Sequence, residues 1–185
     1  MKFNNYEMKK LFDFILINKN IVLSDYALFS RDTLIMLRDI IKEKRPNDFE
    51  LSKKQENALI NAFMTGNSIF DEDTPSFILL NPDCINIAIE RDPSSADFVN
   101  DFTPELKEKT LQLALKNRYI LNRNSPFFLR SNYAIALNSI RENPSSADYV
   151  NWNSMTKEDK DDLIKETIKA GYVLSSNSCQ ILNHL

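Results

Sequence analysis

One stretch of the chain, DPSSADFVN at positions 92–100, returns 51 residues later as NPSSADYVN at positions 143–151. Each copy directly follows a segment whose apolar residues recur with helical spacing. The proline in the second position of each copy, Pro93 or Pro144, prevents the preceding helix from continuing. The two copies therefore indicate a repeating unit in which a helix ends where the motif begins.

Predicted helix ends recur at about half that distance. In each case an apolar residue is followed three positions later by a residue that can end a helix. The pairs are Ile17 with Asn20, Ile41 with Lys44, Phe63 with Gly66, Ile89 with Asp92, Leu115 with Arg118, Ile140 with Asn143, and Ile168 with Gly171. Glycine and asparagine suit the left-handed conformation that commonly follows a helix.

Predicted helix starts follow the same period. Long helices are expected to begin at the polar caps Ser52, Thr103 and Thr156, and Ser52 forms a potential capping box with Gln55. Short helices are expected near Thr74-Pro75-Ser76-Phe77 and Ser125-Pro126-Phe127-Phe128, with Asn81 and Asn132 capping the helices that come next. Phe127 and Phe128 align in this interpretation with Phe77 and Ile78, so at least one of the two should be buried.

The pattern predicts an all-α protein in which tandem pairs of short helices stack as an α-solenoid. Residues 1–19 would form an N-terminal capping helix, and residues 20–66, 67–118 and 119–171 would form three four-helix repeats. Residues 172–185 would be a partial repeat or a C-terminal cap, and we expect the chain to be a fragment of a longer protein. A helical bundle that retains the period of an ancestral duplication is the alternative.

The units resemble α-helical solenoid repeats in general, although they lack the signatures of tetratricopeptide and ankyrin repeats. The openings Ser125-Pro126-Phe127-Phe128-Leu129 and Thr74-Pro75-Ser76-Phe77-Ile78 look loosely like the proline-started repeats of mitochondrial transcription termination factors. That family binds nucleic acid through a basic concave face, whereas this chain carries a net charge of −3. The resemblance transfers no residue role to this chain.

Composition argues against several classes of protein. The chain has only two glycines, Gly66 and Gly171, so phosphate-binding glycine loops and hairpin-rich sheets are poorly supported. No apolar run is long enough to cross a bilayer, and the N-terminus does not resemble a secretion signal. Cys84 and Cys179 are far apart in sequence and predict neither a disulfide framework nor a zinc site. We therefore expect a cytoplasmic protein without a membrane partner, cofactor or metal.

No catalytic residue is predicted, and we expect the chain not to be an enzyme. His184 is the only histidine and lies one residue from the end, a poor place for a catalytic triad. Cys84 lies in an apolar helix face and is expected to be a small buried residue. The acidic groups 71–73 and 159–162 precede or open predicted helices, where negative charge is favourable, rather than matching a calcium loop. Trp152 is expected to be a packed loop anchor.

The segment 109–141 is the one candidate contact surface. It carries Lys109, Lys116, Arg118, Arg123, Arg130 and Arg141 without an acidic residue, and we call it the basic strip. Arginine can bind phosphate or carboxylate through two hydrogen bonds, and aromatic residues within the strip could stack on bases. Arg118, Arg123 and Arg130 are the predicted anion or nucleic-acid contacts. The alternative is that these cations only stabilise helix ends.

Three functions follow as hypotheses. The first is a non-catalytic scaffold that recognises a protein or peptide partner along a groove between stacked helices. The second is nucleic-acid or anion binding through the basic strip. The third is an accessory N-terminal domain of a larger enzyme whose catalytic residues lie beyond Leu185.

Overall fold

The structure is a computed structural model that describes residues 4–17, 31–45, 50–99 and 103–174. All regular secondary structure within these ranges is helical. The prediction of an all-α protein is therefore confirmed for the part of the chain that the structure describes.

The helices in the described ranges are short, and three of them are 3₁₀ helices. In order, the α-helices are α1 (Asn5–Ile17), α2 (Arg31–Lys42), α3 (Lys53–Thr65), α4 (Ser76–Leu79), α5 (Pro82–Arg91), α6 (Pro104–Lys116), α7 (Phe127–Arg130), α8 (Tyr133–Glu142) and α9 (Lys157–Lys169). The 3₁₀ helices are Pro93–Phe98, Pro144–Tyr149 and Trp152–Ser154. The first two are formed by the repeated DPSSADFVN and NPSSADYVN motifs.

Most helix starts recur at an offset of 51 residues. Helices α2, α5 and α8 begin 51 residues apart, at Arg31, Pro82 and Tyr133. The same offset separates the starts of α3 and α6, of α4 and α7, and of the 3₁₀ helices at Pro93 and Pro144. Helix α9 departs from it, because it begins 53 residues after α6.

The chain divides into two compact units, residues 1–88 and 89–185. The division falls inside α5, whereas the predicted repeats meet after residues 66 and 118. The three-repeat organisation, the capping helix 1–19 and the partial repeat 172–185 stay predictions.

Side-chain caps fix the helix starts where the sequence predicts them. In the capping box of α3, Ser52 Oγ accepts a hydrogen bond from Gln55 N at 3.3 Å, and Gln55 Oε1 accepts one from Ser52 N at 2.8 Å. Thr103 caps α6, with Pro104 in the first helical position, and Thr156 forms a second capping box with Asp159. The Asn81 and Asn132 side chains cap α5 and α8. Each cap satisfies backbone N–H groups that the first helical turn leaves without partners.

The helix ends correct part of the sequence interpretation. Left-handed residues follow α2, α6 and α9, with φ of 53° at Lys44, 55° at Arg118 and 74° at Gly171. Gly66 and Asn143, expected to be left-handed, have φ of −74° and −142°. Asn143 instead opens the 3₁₀ helix Pro144–Tyr149, and its side chain accepts a hydrogen bond from Ser145 N. An extended backbone at Asn143 is what the next proline favours.

The three left-handed ends share one hydrogen-bond pattern. After α6, the N–H groups of Arg118 and Tyr119 donate to the carbonyls of Leu115 and Ala114, at 3.3 and 2.9 Å. Equivalent pairs of bonds close α2 and α9. This is the Schellman arrangement, which supplies donors to the last carbonyls of a helix.

Each unit has its own core. In the first unit α1 packs against α2, and α3 packs against α4. The rings of Phe63 and Phe70 lie 5.3 Å apart there. In the second unit α8 contacts α6, α7, α9 and the 3₁₀ helix Pro144–Tyr149, which makes it the central element. The buried face of α8 consists of Ile135, Ala136, Ser139 and Ile140.

Gly171→Ala should lower the free energy of unfolding by about 1 kcal/mol, because an L-residue strains at positive φ. A Cβ at Gly171 would meet no atom within 4 Å, so the conformation of the backbone is the only source of this cost. Urea unfolding measures the change. Gly171→Asn, which tolerates this conformation better, is the matched control, and an equal loss in both variants would contradict the explanation.

Candidate functional site

The repeated motif forms a hydrogen-bonded clamp in the second unit. The carboxylate of Asp97 accepts one hydrogen bond from the Tyr119 hydroxyl and another, at 2.9 Å, from Asn122 Nδ2. Tyr119 is buried, and its oxygen also lies 2.6 Å from Ser125 Oγ. Asp97 thereby joins the 3₁₀ helix Pro93–Phe98 to the segment that follows α6.

The second copy of the motif makes the same contact. The Tyr172 hydroxyl, just after α9, donates to Asp148 Oδ2 at 2.7 Å. Asp148 occupies the same place in its motif as Asp97, and Tyr172 follows α9 as Tyr119 follows α6. The aspartate of the repeated motif therefore has a structural role in both copies.

Burial dominates the electrostatics of the first clamp. Desolvation raises the pKa of Asp97, against the opposing effect of its hydrogen bonds from Tyr119 and Asn122. Desolvation, together with the hydrogen bond to Asp97, raises the pKa of Tyr119 far above its ordinary range. Tyr119 is therefore a neutral hydrogen-bond donor at physiological pH.

The segment 119–127, which we call the 119–127 loop, has an internally bonded base. Asn122 N donates to Ser125 Oγ at 2.8 Å, and Asn124 N donates to Asn122 Oδ1 at 2.7 Å. These bonds and the Tyr119–Ser125 contact close the loop on itself. Polar backbone groups at its tip are thus satisfied within the loop rather than by solvent.

Four side chains of this loop are exposed: Ile120, Arg123, Asn124 and Phe127. Phe127 has 73% of its surface accessible and Ile120 has 40%, values that are high for large apolar side chains. Arg123 at the tip is also exposed, and its side chain forms no hydrogen bond or ion pair with any described residue. The loop therefore combines two apolar side chains and a cation on a closed turn.

The first unit contains the same turn with different side chains. In the segment 68–76, the 68–76 loop, Asp71 N donates to Thr74 Oγ1 and Asp73 N donates to Asp71 Oδ1, both at 3.0 Å. At the 51-residue offset Glu72 corresponds to Arg123, and Ser76 corresponds to Phe127. The turn is kept while the exposed side chains change in charge and polarity.

This offset corrects the alignment of Phe127 and Phe128 made from sequence. Phe128 corresponds to Phe77 and Leu129 to Ile78, so the fully buried residue of α7 is Leu129. Phe128 is half-buried and Phe127 is exposed, so neither belongs to the fully buried core. Sequence reasoning therefore missed Phe127 and Ile120 as surface residues. The signal that could have found Phe127 is the serine at the corresponding position of the other loop.

The three predicted contact residues do not form one surface feature. Arg118 is exposed at the end of α6, with Nη1 4.0 Å from Glu142 Oε1. Arg123 lies at the tip of the 119–127 loop. Arg130 is half-buried, and its Nε donates to the Tyr149 carbonyl at 2.6 Å. The Arg130 contact is a structural one that holds the 3₁₀ helix Pro144–Tyr149.

Acidic residues from other helices pair with three of the six cations of the basic strip. Lys116 Nζ lies 3.2 Å from Glu90 Oε1, and Arg141 Nε lies 3.2 Å from Glu166 Oε2. The hydrogen bond from Arg141 is the main reason that the pKa of Glu166 is lowered. The strip lacks acids along the sequence, yet in the folded second unit Lys116, Arg118 and Arg141 lie beside carboxylates of α5, α8 and α9.

A pocket of about 260 Å³ lies where α6 and α8 end. Its lining is Leu115, Lys116, Arg118, Tyr119, Asn138, Arg141 and Glu142. Three cations suggest an anion site, but each of them has a carboxylate partner. Two helix C-termini, each with a partial negative charge, also face this region. The net field therefore favours an anion less than the residue types alone suggest.

Other residues considered from sequence have structural roles. Cys84 is fully buried, as predicted, and Trp152 is a buried anchor whose Nε1 donates to the Ala147 carbonyl at 3.1 Å. The carboxylate of Asp71 accepts bonds within the 68–76 loop. Asp159 belongs to the cap of α9, and Asp162 accepts a bond from the Tyr133 hydroxyl. His184 and Cys179 lie outside the described residues.

The described residues contain neither a candidate metal site nor a candidate membrane-spanning helix. Within those ranges no three histidine, cysteine or acidic side chains are grouped so that they could hold a metal ion. Likewise, no helix in the described part of the chain is long and apolar enough to span a membrane.

Comparison with protein-family models, with curated proteins and with solved structures gave no match to this chain.

Tyr119→Phe should destabilise the protein by about 1–2 kcal/mol at neutral pH, because it removes a donor from a half-buried carboxylate. The folded-state pKa of Asp97 is already raised, so its contribution to stability falls as pH rises through the carboxyl range. Loss of the tyrosine hydroxyl raises that pKa further, and the cost should therefore be larger at pH 7 than at pH 4. Urea unfolding at several pH values measures this trend.

Tyr172→Phe is the matched control, since it removes the corresponding hydroxyl from a more exposed clamp. Tyr172→Phe should lower the free energy of unfolding by less than Tyr119→Phe does. A cost of Tyr119→Phe that does not change with pH would contradict the role given to Asp97.

Proposed function

We propose that this chain is a non-catalytic helical binding module that recognises a protein or peptide partner through the 119–127 loop. The observation that carries the proposal is the exposure of Ile120, Arg123 and Phe127 on a loop whose base is closed by hydrogen bonds. A loop that is already ordered loses little conformational entropy when it binds. Aromatic and arginine side chains are also the residues that most often dominate binding energy.

The module belongs, in this proposal, to a solenoid-like stack of short helices. The 51-residue offset shared by most helix starts and by the two 3₁₀ motifs supports a repeated unit. So does the recurrence of the aspartate–tyrosine contact at Asp97 and Asp148. In such proteins the repeats supply a shared framework, and individual loops carry the side chains that differ.

Nucleic-acid binding through Arg118, Arg123 and Arg130 is the second candidate. The pocket at the ends of α6 and α8 favours it, because Lys116, Arg118 and Arg141 all line that pocket. Pairing with Glu90, Glu142 and Glu166 argues against it, since a nucleic acid would have to compete with these carboxylates. Arg130 is also engaged by a backbone carbonyl. The peptide-binding proposal is therefore preferred.

Phe127→Ser should weaken binding of the partner while leaving the fold intact. The variant is conservative for the fold, because Ser76 occupies the corresponding position in the 68–76 loop. The experiment is a pull-down from lysate of the source organism with the wild-type chain as bait, followed by identification of bound proteins and nucleic acids. Loss of an anchor side chain should lower the affinity for a true partner by about tenfold or more.

Ile69→Ser is the matched control, since Ile69 is exposed to 41% at the start of the same turn in the first unit. A partner that both wild type and this control retain, but that Phe127→Ser loses, supports the proposal. Equal retention by Phe127→Ser would rule out the 119–127 loop as the contact. Nucleic acid that is retained by wild type and lost when Arg118, Arg123 and Arg130 are changed to Glu would favour the second candidate.

A further inference from the structure

The turn does not require arginine at position 123. The 68–76 loop forms the same pair of hydrogen bonds with Glu72 at the corresponding position. Arg123 is exposed and its side chain has no bond to any described residue. Its charge is therefore not explained by the stability of the loop.

The phenylalanine at position 127 is likewise not explained by the stability of the loop. In the first unit the corresponding residue, Ser76, is half-buried, and its hydroxyl donates to Glu7 Oε1 of α1 at 3.0 Å. In the second unit this position holds Phe127, which is exposed. An exposed phenylalanine gives no packing energy to the fold, whereas it can bury a large area against a partner.

We propose that the 119–127 loop recognises an acidic–apolar peptide, in which a carboxylate binds Arg123 and a neighbouring apolar side chain packs on Phe127. The inference rests on the proposed function and names the chemistry of its partner. A guanidinium can hold a carboxylate through two parallel hydrogen bonds, which fixes the orientation of the peptide. Phe127 supplies the apolar area, because an exposed ion pair alone contributes little to affinity.

Charge complementarity favours a peptide over a nucleic acid. A nucleic acid gains affinity from several cations that neutralise successive phosphates. Lys116, Arg118 and Arg141 already lie beside carboxylates, which leaves Arg123 as a cation without a partner among the described residues. A single exposed cation on the same short loop as the exposed Ile120 and Phe127 matches one carboxylate near an apolar side chain.

The test reverses the charge at position 123 and measures binding of two dye-labelled probe peptides of opposite charge. One is Gly-Ser-Glu-Leu-Glu-Leu-Gly-Ser, and the other has lysine in place of both glutamates. Fluorescence anisotropy at about 50 mM salt should show that the wild-type chain prefers the glutamate peptide by about fivefold or more, the effect of one ion pair of about 1 kcal/mol. Arg123→Glu should reverse this preference, and salt should weaken it.

Two further variants separate the contributions. Phe127→Ser should lower the affinity for the glutamate peptide without reversing the preference for it, because the charge at position 123 is kept. Glu72→Arg places the same charge on the corresponding turn of the first unit and should leave wild-type preference unchanged. Circular dichroism checks that every variant remains helical.

An unchanged preference in Arg123→Glu overturns this inference, and so does the absence of binding to the glutamate peptide at millimolar concentration. Neither result affects the proposed function, which depends on capture of a partner through Phe127. Tighter binding of a labelled single-stranded oligonucleotide, lost in Arg123→Glu, would also overturn the inference and identify nucleic acid as the ligand.

Discussion

The loop of the second unit depends on one half-buried carboxylate. Asp97 accepts hydrogen bonds from Tyr119 and Asn122, and these bonds join a 3₁₀ helix to the loop that leads into α7. Partial removal of a carboxylate from water is unfavourable unless donors replace the lost water, and Tyr119 and Asn122 supply those donors to Asp97. The left-handed backbone at Arg118 brings the next residue, Tyr119, to this carboxylate. The Schellman end of α6, the clamp and the 119–127 loop therefore form one continuous arrangement.

This arrangement separates the residues that maintain the loop from the residues that it displays. Tyr119, Asn122 and Ser125 point into the hydrogen-bonded base, and Ile120, Arg123 and Phe127 remain exposed. Because the base is satisfied internally, changes at the exposed positions cost little stability. The 68–76 loop keeps the same hydrogen-bonded base, with the exposed Glu72 in place of Arg123, whereas Ser76, in place of Phe127, is half-buried and bonded to Glu7. A repeated fold can diversify its surface in this way without changing its helices.

Local features were predictable from sequence, and contacts between distant segments were not. The caps at Ser52, Thr103 and Thr156 involve residues three positions apart, so a short pattern contains all the necessary information. The clamp joins Asp97 to Tyr119, 22 residues away, and its formation depends on how α6 ends. The left-handed Lys44 and Arg118 could not be distinguished from ordinary helix ends, because neither residue type favours positive φ.

The basic strip shows that surface contacts between distant segments are also hard to predict from sequence. Charge counted along the chain treats neighbours in sequence as neighbours in space, but a helical surface places residues of adjacent helices side by side. Lys116 and Arg141 lie beside carboxylates that are 26 and 25 residues away in sequence. Such pairs contribute little individually to stability, yet they reduce the field that an incoming anion would experience. Among the described residues, the absence of an acidic partner therefore identifies an available cation better than the density of arginine and lysine does, and Arg123 has no such partner there.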